Sequence, residues 1–199
     1  MSRPVDNWPG VLTGSVAFLA AWLVRETLEA RLVTHLLVQF PLLLAAGALL
    51  AGRPCGPTRW NRGGATGLAL AAAISAYWML PRSIDASLAD LRFEAAKLAS
   101  LPIAGAALAR SLPRVPWLAR QLLAAQTLAM AAAMGWLYTA LPERLCLRYL
   151  RSEQDELGTA LLLLAALASL LWLGRLCVRP PALGATSASI GPRAVQSGS

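Results

Sequence analysis

Arg82, Asp85, Asp90, Arg92, Glu94 and Lys97 fall within one short stretch, WMLPRSIDASLADLRFEAAKLASLPIAG, from Trp78 to Gly105. Apolar runs flank it on both sides. On a helix, Asp90, Glu94 and Lys97 share one face at spacings of four and three residues, and Glu94 can pair with Lys97. Two readings stand open. The charges form a solvated face of an amphipathic helix, or Glu94 and Lys97 turn inward, where ionisable groups are costly and usually functional. Asp85, Asp90, Glu94 and Lys97 are therefore the candidates for a polar or partner site.

A second candidate set centres on His35, the only histidine. Arg31, His35 and Gln39 make a polar stripe at four-residue spacing on an otherwise apolar run. An interhelical hydrogen bond explains such a histidine. Imidazole together with soft sulfur also suits copper, with Met79, Met130, Met134 and Cys146 as candidate sulfurs. His35 and Met79 are the metal candidates of this set. The segment YLRSEQDELG, Tyr149 to Gly158, is a third polar cluster, in which Ser152 and Asp155 suggest a helix cap. No Ser/His/Asp set, metalloprotease motif, phosphate loop or dinucleotide fingerprint is present, so an enzyme is not expected.

The elements that must carry these residues are membrane spans. Charged residues make up 14% of the chain and mean hydropathy is +0.55, against roughly 25% charged in soluble domains. The expected fold is all-α, a polytopic helix bundle of about six transmembrane helices. The spans cover about residues 9–24, 32–51, 64–80, 98–112, 117–141 and 159–178, within a single domain over 1–179. The first is read as an uncleaved span. The tail 180–199 is rich in Pro, Gly, Ser and Ala and is expected to be disordered. Pro41 and Pro102 should kink their spans. Gly10/Gly14 and Gly63/Gly67 form GxxxG pairs that read as packing. Trp8, Trp22, Trp60, Trp78, Trp117 and Trp136 read as interfacial anchors.

Charge sets the expected orientation. The connections around Arg53, Arg59 and Arg62 and around Arg110, Arg114 and Arg120 carry no acid, nor does the tail with Arg175, Arg179 and Arg193. The alternate connections hold every acid except Asp6. Retention of arginine inside places the basic connections and both termini in the cytoplasm, and the acid-bearing ones outside. The net charge of +8 then reads as attraction to anionic lipid rather than to nucleic acid. Cys55, Cys146 and Cys177 are too scattered for a disulfide or zinc framework. The localisation expected is a bacterial inner membrane, multi-pass.

The stretch YWMLPRSIDASLADLRFEAAKLASLPIAG, with Trp78, Pro81 and Asp85, and THLLVQFPLLLAAG, with His35 and Pro41, loosely resembles the CtaG-like cytochrome c oxidase assembly factors. These are multi-span bacterial membrane proteins linked to copper delivery. Most of that family's histidines have no counterpart: Met79 and Glu94 stand at two such positions. The resemblance implies the multi-span fold and a non-enzymatic accessory or assembly role, with a respiratory oxidase or copper protein as partner; copper is the one cofactor it raises, and the missing histidines remove most of the ligands for it. The alternative is a small transporter or permease subunit, with Pro41 and Pro102 lining a path.

Overall fold

The computed structural model describes residues 8–52, 59–141 and 149–178. Every regular element among them is helical: α1 (Trp8–Leu23), α2 (Arg25–Glu29), α3 (Leu32–Thr34), a π-helical turn (His35–Gln39), α4 (Phe40–Leu50), α5 (Ala65–Trp78), α6 (Pro81–Ala89), α7 (Leu91–Ser111), α8 (Trp117–Ala140) and α9 (Arg151–Val178), with 3₁₀ turns at Arg59–Asn61 and Leu112–Arg114. The sequence explains the breaks. Gly52 and Gly64 take positive φ on either side of the α4–α5 connection. Pro81 starts α6 in its first turn, where no N–H is needed. Asp90 is extended and accepts the Arg92 N–H, which starts α7.

Three helices are long and apolar enough to cross a membrane: the continuous Leu32–Leu50, Trp117–Ala140 and Arg151–Val178. Trp8–Leu23 and Ala65–Trp78 are apolar but shorter. α7 is long enough, but it carries Arg92, Glu94, Lys97 and Arg110. It begins at Leu91, ahead of the apolar run from Leu98 and within the charged segment, as expected of a span whose first turn is polar; the Asp90 cap precedes the charged turns. α9 likewise begins at Arg151, not Thr159. Ser152 does not cap it. Glu153 reaches back to the Leu150 N–H, while Asp155 pairs with Arg151 one turn below. The tail 180–199 lies outside the described residues.

α4 and α7 form the centre. α1 packs on α4, α5 and α6 pack on α7, and α8 pairs with α9, which reaches the rest mainly through α3. Leu43, Ala46, Leu101 and Ala104 are fully buried where α4 crosses α7. Glycine makes this crossing close: a Cβ on Gly47 would strike the Pro102 backbone, and one on Gly105 the Leu44 carbonyl. The GxxxG pairs contribute unequally. Gly14 lies against Ala46 and Gly67 against Ser111, whereas Gly63 faces open space. α7 runs unbroken through Pro102. Pro41 instead follows the π-helical turn, a widened turn of the kind that accommodates a missing backbone donor. Trp78 is no surface anchor: it is buried, and its indole N–H donates to Ser100 Oγ at 2.8 Å.

The connections sort to two ends of the bundle. Arg25 meets Glu94, Lys97 meets Glu29, and Tyr149 meets Glu29 at one end. At the other, Arg110 donates to the Ala51 carbonyl and Asn61 to Ser111 Oγ. The acid-bearing stretches thus join one another, and so do the basic ones. Gly105→Leu should lower stability by about 3 kcal/mol through forced separation of α4 and α7, while Gly63→Ala should leave it unchanged. Thermal unfolding in detergent, followed by size-exclusion fluorescence, measures both.

Candidate functional site

Lys97 is the only lysine in the chain, and its side chain is 0% exposed. It lies six residues into α7, about 9 Å along the axis from Leu91 at 1.5 Å per residue. A buried ammonium needs an acceptor for each of its three protons and a negative charge nearby. It has both. Nζ donates to Glu29 Oε1 at 2.5 Å and to Gln39 Oε1 at 3.4 Å, and it lies 3.2 Å from His35 Nε2. Gln39 Nε2 donates to the same Glu29 oxygen at 3.0 Å.

The hydrogen bonds assign the protons. Tyr149 Oη donates to the Glu29 main-chain carbonyl at 2.8 Å, so its oxygen is left as an acceptor. His35 Nδ1, 2.9 Å away, then carries the proton and donates to it. That leaves His35 Nε2 bare to accept from Lys97. Neutral His35, Lys97 cation and Glu29 anion give a centre without net charge, in which each hydrogen is used once. His35 and Gln39, four residues apart at the two ends of the π-helical turn, share the inner face, where each is fully buried. Phe40 adds an edge-on contact to the imidazole with centroids 5.4 Å apart.

Glu29 sits in α2, just before the Leu32–Leu50 helix. Burial on its own would raise its pKa; the hydrogen bonds from Lys97 and Gln39 and the Lys97 charge outweigh this, so Glu29 titrates below its ordinary 4.5. Beside it, Arg25 Nε lies 3.3 Å from Glu94 Oε1. That carboxylate oxygen is buried without a hydrogen bond, so the contact is electrostatic.

The polar residues singled out by spacing therefore scatter. Lys97 turns inward, but its partner is Glu29, not Glu94. Glu94 goes to Arg25. Asp90 is exposed and serves as a helix cap. Asp85 is half-buried on α6. Arg31 is exposed just before α3, so the stripe of Arg31, His35 and Gln39 keeps only its last two members. Glu29 and Tyr149 are the members the sequence does not single out. Glu29 precedes the apolar run, and Tyr149 joins from 114 residues away in the chain.

Copper fits this arrangement poorly. Both His35 nitrogens are engaged, and one faces an ammonium that would repel a metal cation. Met79 is 41% exposed and borders a small apolar cavity with Leu37 and Met134. Among the described residues no group of three His, Cys, Asp or Glu side chains could hold a metal. Cys55 and Cys146 lie outside the described residues. No family model matches the chain, and no curated protein and no solved structure matches it either.

Removing one partner of a buried ion pair strands the other charge. Lys97→Met should therefore cost about 3–5 kcal/mol, and Lys97→Met combined with Glu29→Gln should recover part of the loss. Melting of the four proteins in one detergent measures the coupling; a Lys97→Met protein as stable as the parent would refute it. The pH dependence follows from the lowered Glu29 pKa. Its contribution is complete above the ordinary value of 4.5 and is lost as pH falls through the lower folded value. The melting temperature should hold from neutral pH to about pH 5 and fall below it, and Glu29→Gln should flatten that fall.

Proposed function

We propose that this chain is a multi-pass membrane protein of about six spans that works as a non-enzymatic accessory or assembly factor. Its acid-bearing end faces outward, and its basic end and both termini face the cytoplasm of a bacterial inner membrane. The observation that carries the reading is the closure of the buried network. Lys97, Glu29, His35, Gln39 and Tyr149 bond to one another, an arrangement suited to locking the outer end rather than to holding a substrate.

What the bundle offers to others is the apolar face of α9. Only 6% of its most apolar window is buried, and Leu163, Leu167 and Leu170 are more than half exposed. A helix like this serves contact with lipid or with another membrane protein. Within the class, the resemblance of the Trp78–Gly105 stretch to oxidase assembly factors supports a respiratory oxidase or copper protein as partner, with delivery of the metal left to that partner.

A permease subunit is the second reading, and it draws on the same buried Lys97, since an ionisable group turned into a membrane bundle often marks a transport path. Affinity purification of the full chain in mild detergent distinguishes the two. The accessory role predicts a membrane protein recovered in fixed ratio, and reduced recovery after Leu167→Ala with Leu170→Ala at unchanged melting temperature. Solute counterflow by the protein alone in liposomes, with no partner recovered, would overturn it.

A further inference from the structure

We propose that the groove between α7, α8 and α9 at the basic end is a seat for one anionic phospholipid. α8 and α9 pack on each other along their length but contact α7 little. At the basic end this leaves an open groove of about 400 Å³, within the usual range of about 300–1,000 Å³ for ligand sites. Leu112 closes it on the α7 side, Leu123 and Leu128 on α8, and Ala168 and Trp172 on α9. The Trp172 indole N–H is already satisfied by Gln121 Oε1 at 2.7 Å, so the tryptophan presents its hydrocarbon to the groove. In a bilayer, an apolar channel of this kind is filled by an acyl chain.

Charge selects the headgroup. Arg120 lines the same groove from the first turn of α8. It is exposed, and its guanidinium makes no hydrogen bond or ion pair among the described residues. The connection that leads to it carries Arg110 and Arg114 and no carboxylate. Those two are turned elsewhere: Arg110 donates to the Ala51 carbonyl, and Arg114 to the Arg110 carbonyl. Arg120 is left to meet a phosphate, which a guanidinium binds through paired N–H donors. A neutral, zwitterionic headgroup brings its own cation and gains less. The occupant is thus a phospholipid with net negative charge, its chain against Leu123, Ala168 and Trp172 and its phosphate at Arg120.

Native mass spectrometry of the purified full chain, titrated with phosphatidylglycerol or phosphatidylcholine, tests this. The first lipid bound should favour phosphatidylglycerol by about fivefold, the preference one arginine supplies near an anionic surface. Arg120→Gln should remove the preference, and Arg59→Gln, another exposed arginine at the same end, should keep it. Ala168→Trp should weaken both lipids by filling the groove; Leu123→Phe takes its place if melting shows that variant misfolded. Equal binding of the two lipids overturns the proposal. So does a preference that survives Arg120→Gln, one that Arg59→Gln removes as completely (diffuse attraction), or binding that a filled groove leaves unchanged (a protein occupant or a headgroup contact alone).

Discussion

A lysine ammonium with no access to water is the constraint on which the architecture depends. Withdrawing such a charge from water costs several kcal/mol even after relaxation, so the fold must return a carboxylate and further acceptors at fixed positions. Those acceptors come from different parts of the chain. Glu29 is on the short α2 helix and His35 and Gln39 are on a widened turn of the next helix, while Tyr149, just before the last helix, holds His35 and the Glu29 carbonyl rather than the lysine itself. Satisfying Lys97 therefore fixes how α7, the α2–α4 segment and α9 meet. The Lys97–Glu29 pair closes the bundle end chemically, while the Gly47–Pro102 and Gly105–Leu44 contacts close its middle sterically.

Much of this architecture is legible in hydropathy and charge alone. Residues 8–23, 32–50, 65–78 and 117–140 are helical within two residues of the apolar runs, because a run with at most one charge, near one end, and abundant Ala and Leu has little alternative to a helix. The starts of α7 and α9 are harder to read. There, polar residues at Asp90 and Arg151–Glu156 belong to the helix or its cap, and hydropathy treats them as loop. The separation of acidic and basic connections is likewise a pattern of composition, and the contacts at the two ends follow it.

The site is legible only in part. Lys97 and the pair His35 and Gln39 stand out as polar residues in or beside apolar runs. Their partners do not. Helical spacing offers Glu94 to Lys97, but α7 turns Lys97 inward toward α2 and leaves Glu94 to Arg25. Tyr149 is one of several polar residues in a charged stretch, and only the packing of α9 against α3 brings it to His35. Long-range pairing of this kind depends on helix rotation and crossing, which a periodic pattern does not encode. The π-helical turn is similar: four-residue spacing already puts His35 and Gln39 on one face, and Pro41 hints at irregularity, but neither shows that the turn between them is widened.

The place of Tyr149 in the chain also bears on assembly. A polypeptide made from its amino end presents Glu29 and His35 first, then Lys97, and only after α8 the tyrosine that sets the imidazole proton. Until then the lysine has its counter-ion, but the histidine lacks the acceptor that leaves Nε2 bare. The earlier helices can gather around the ion pair, and arrival of the final helical hairpin completes the proton arrangement. Integrity of the bundle is thereby registered at a single phenol oxygen, the last atom of the buried network to take its place.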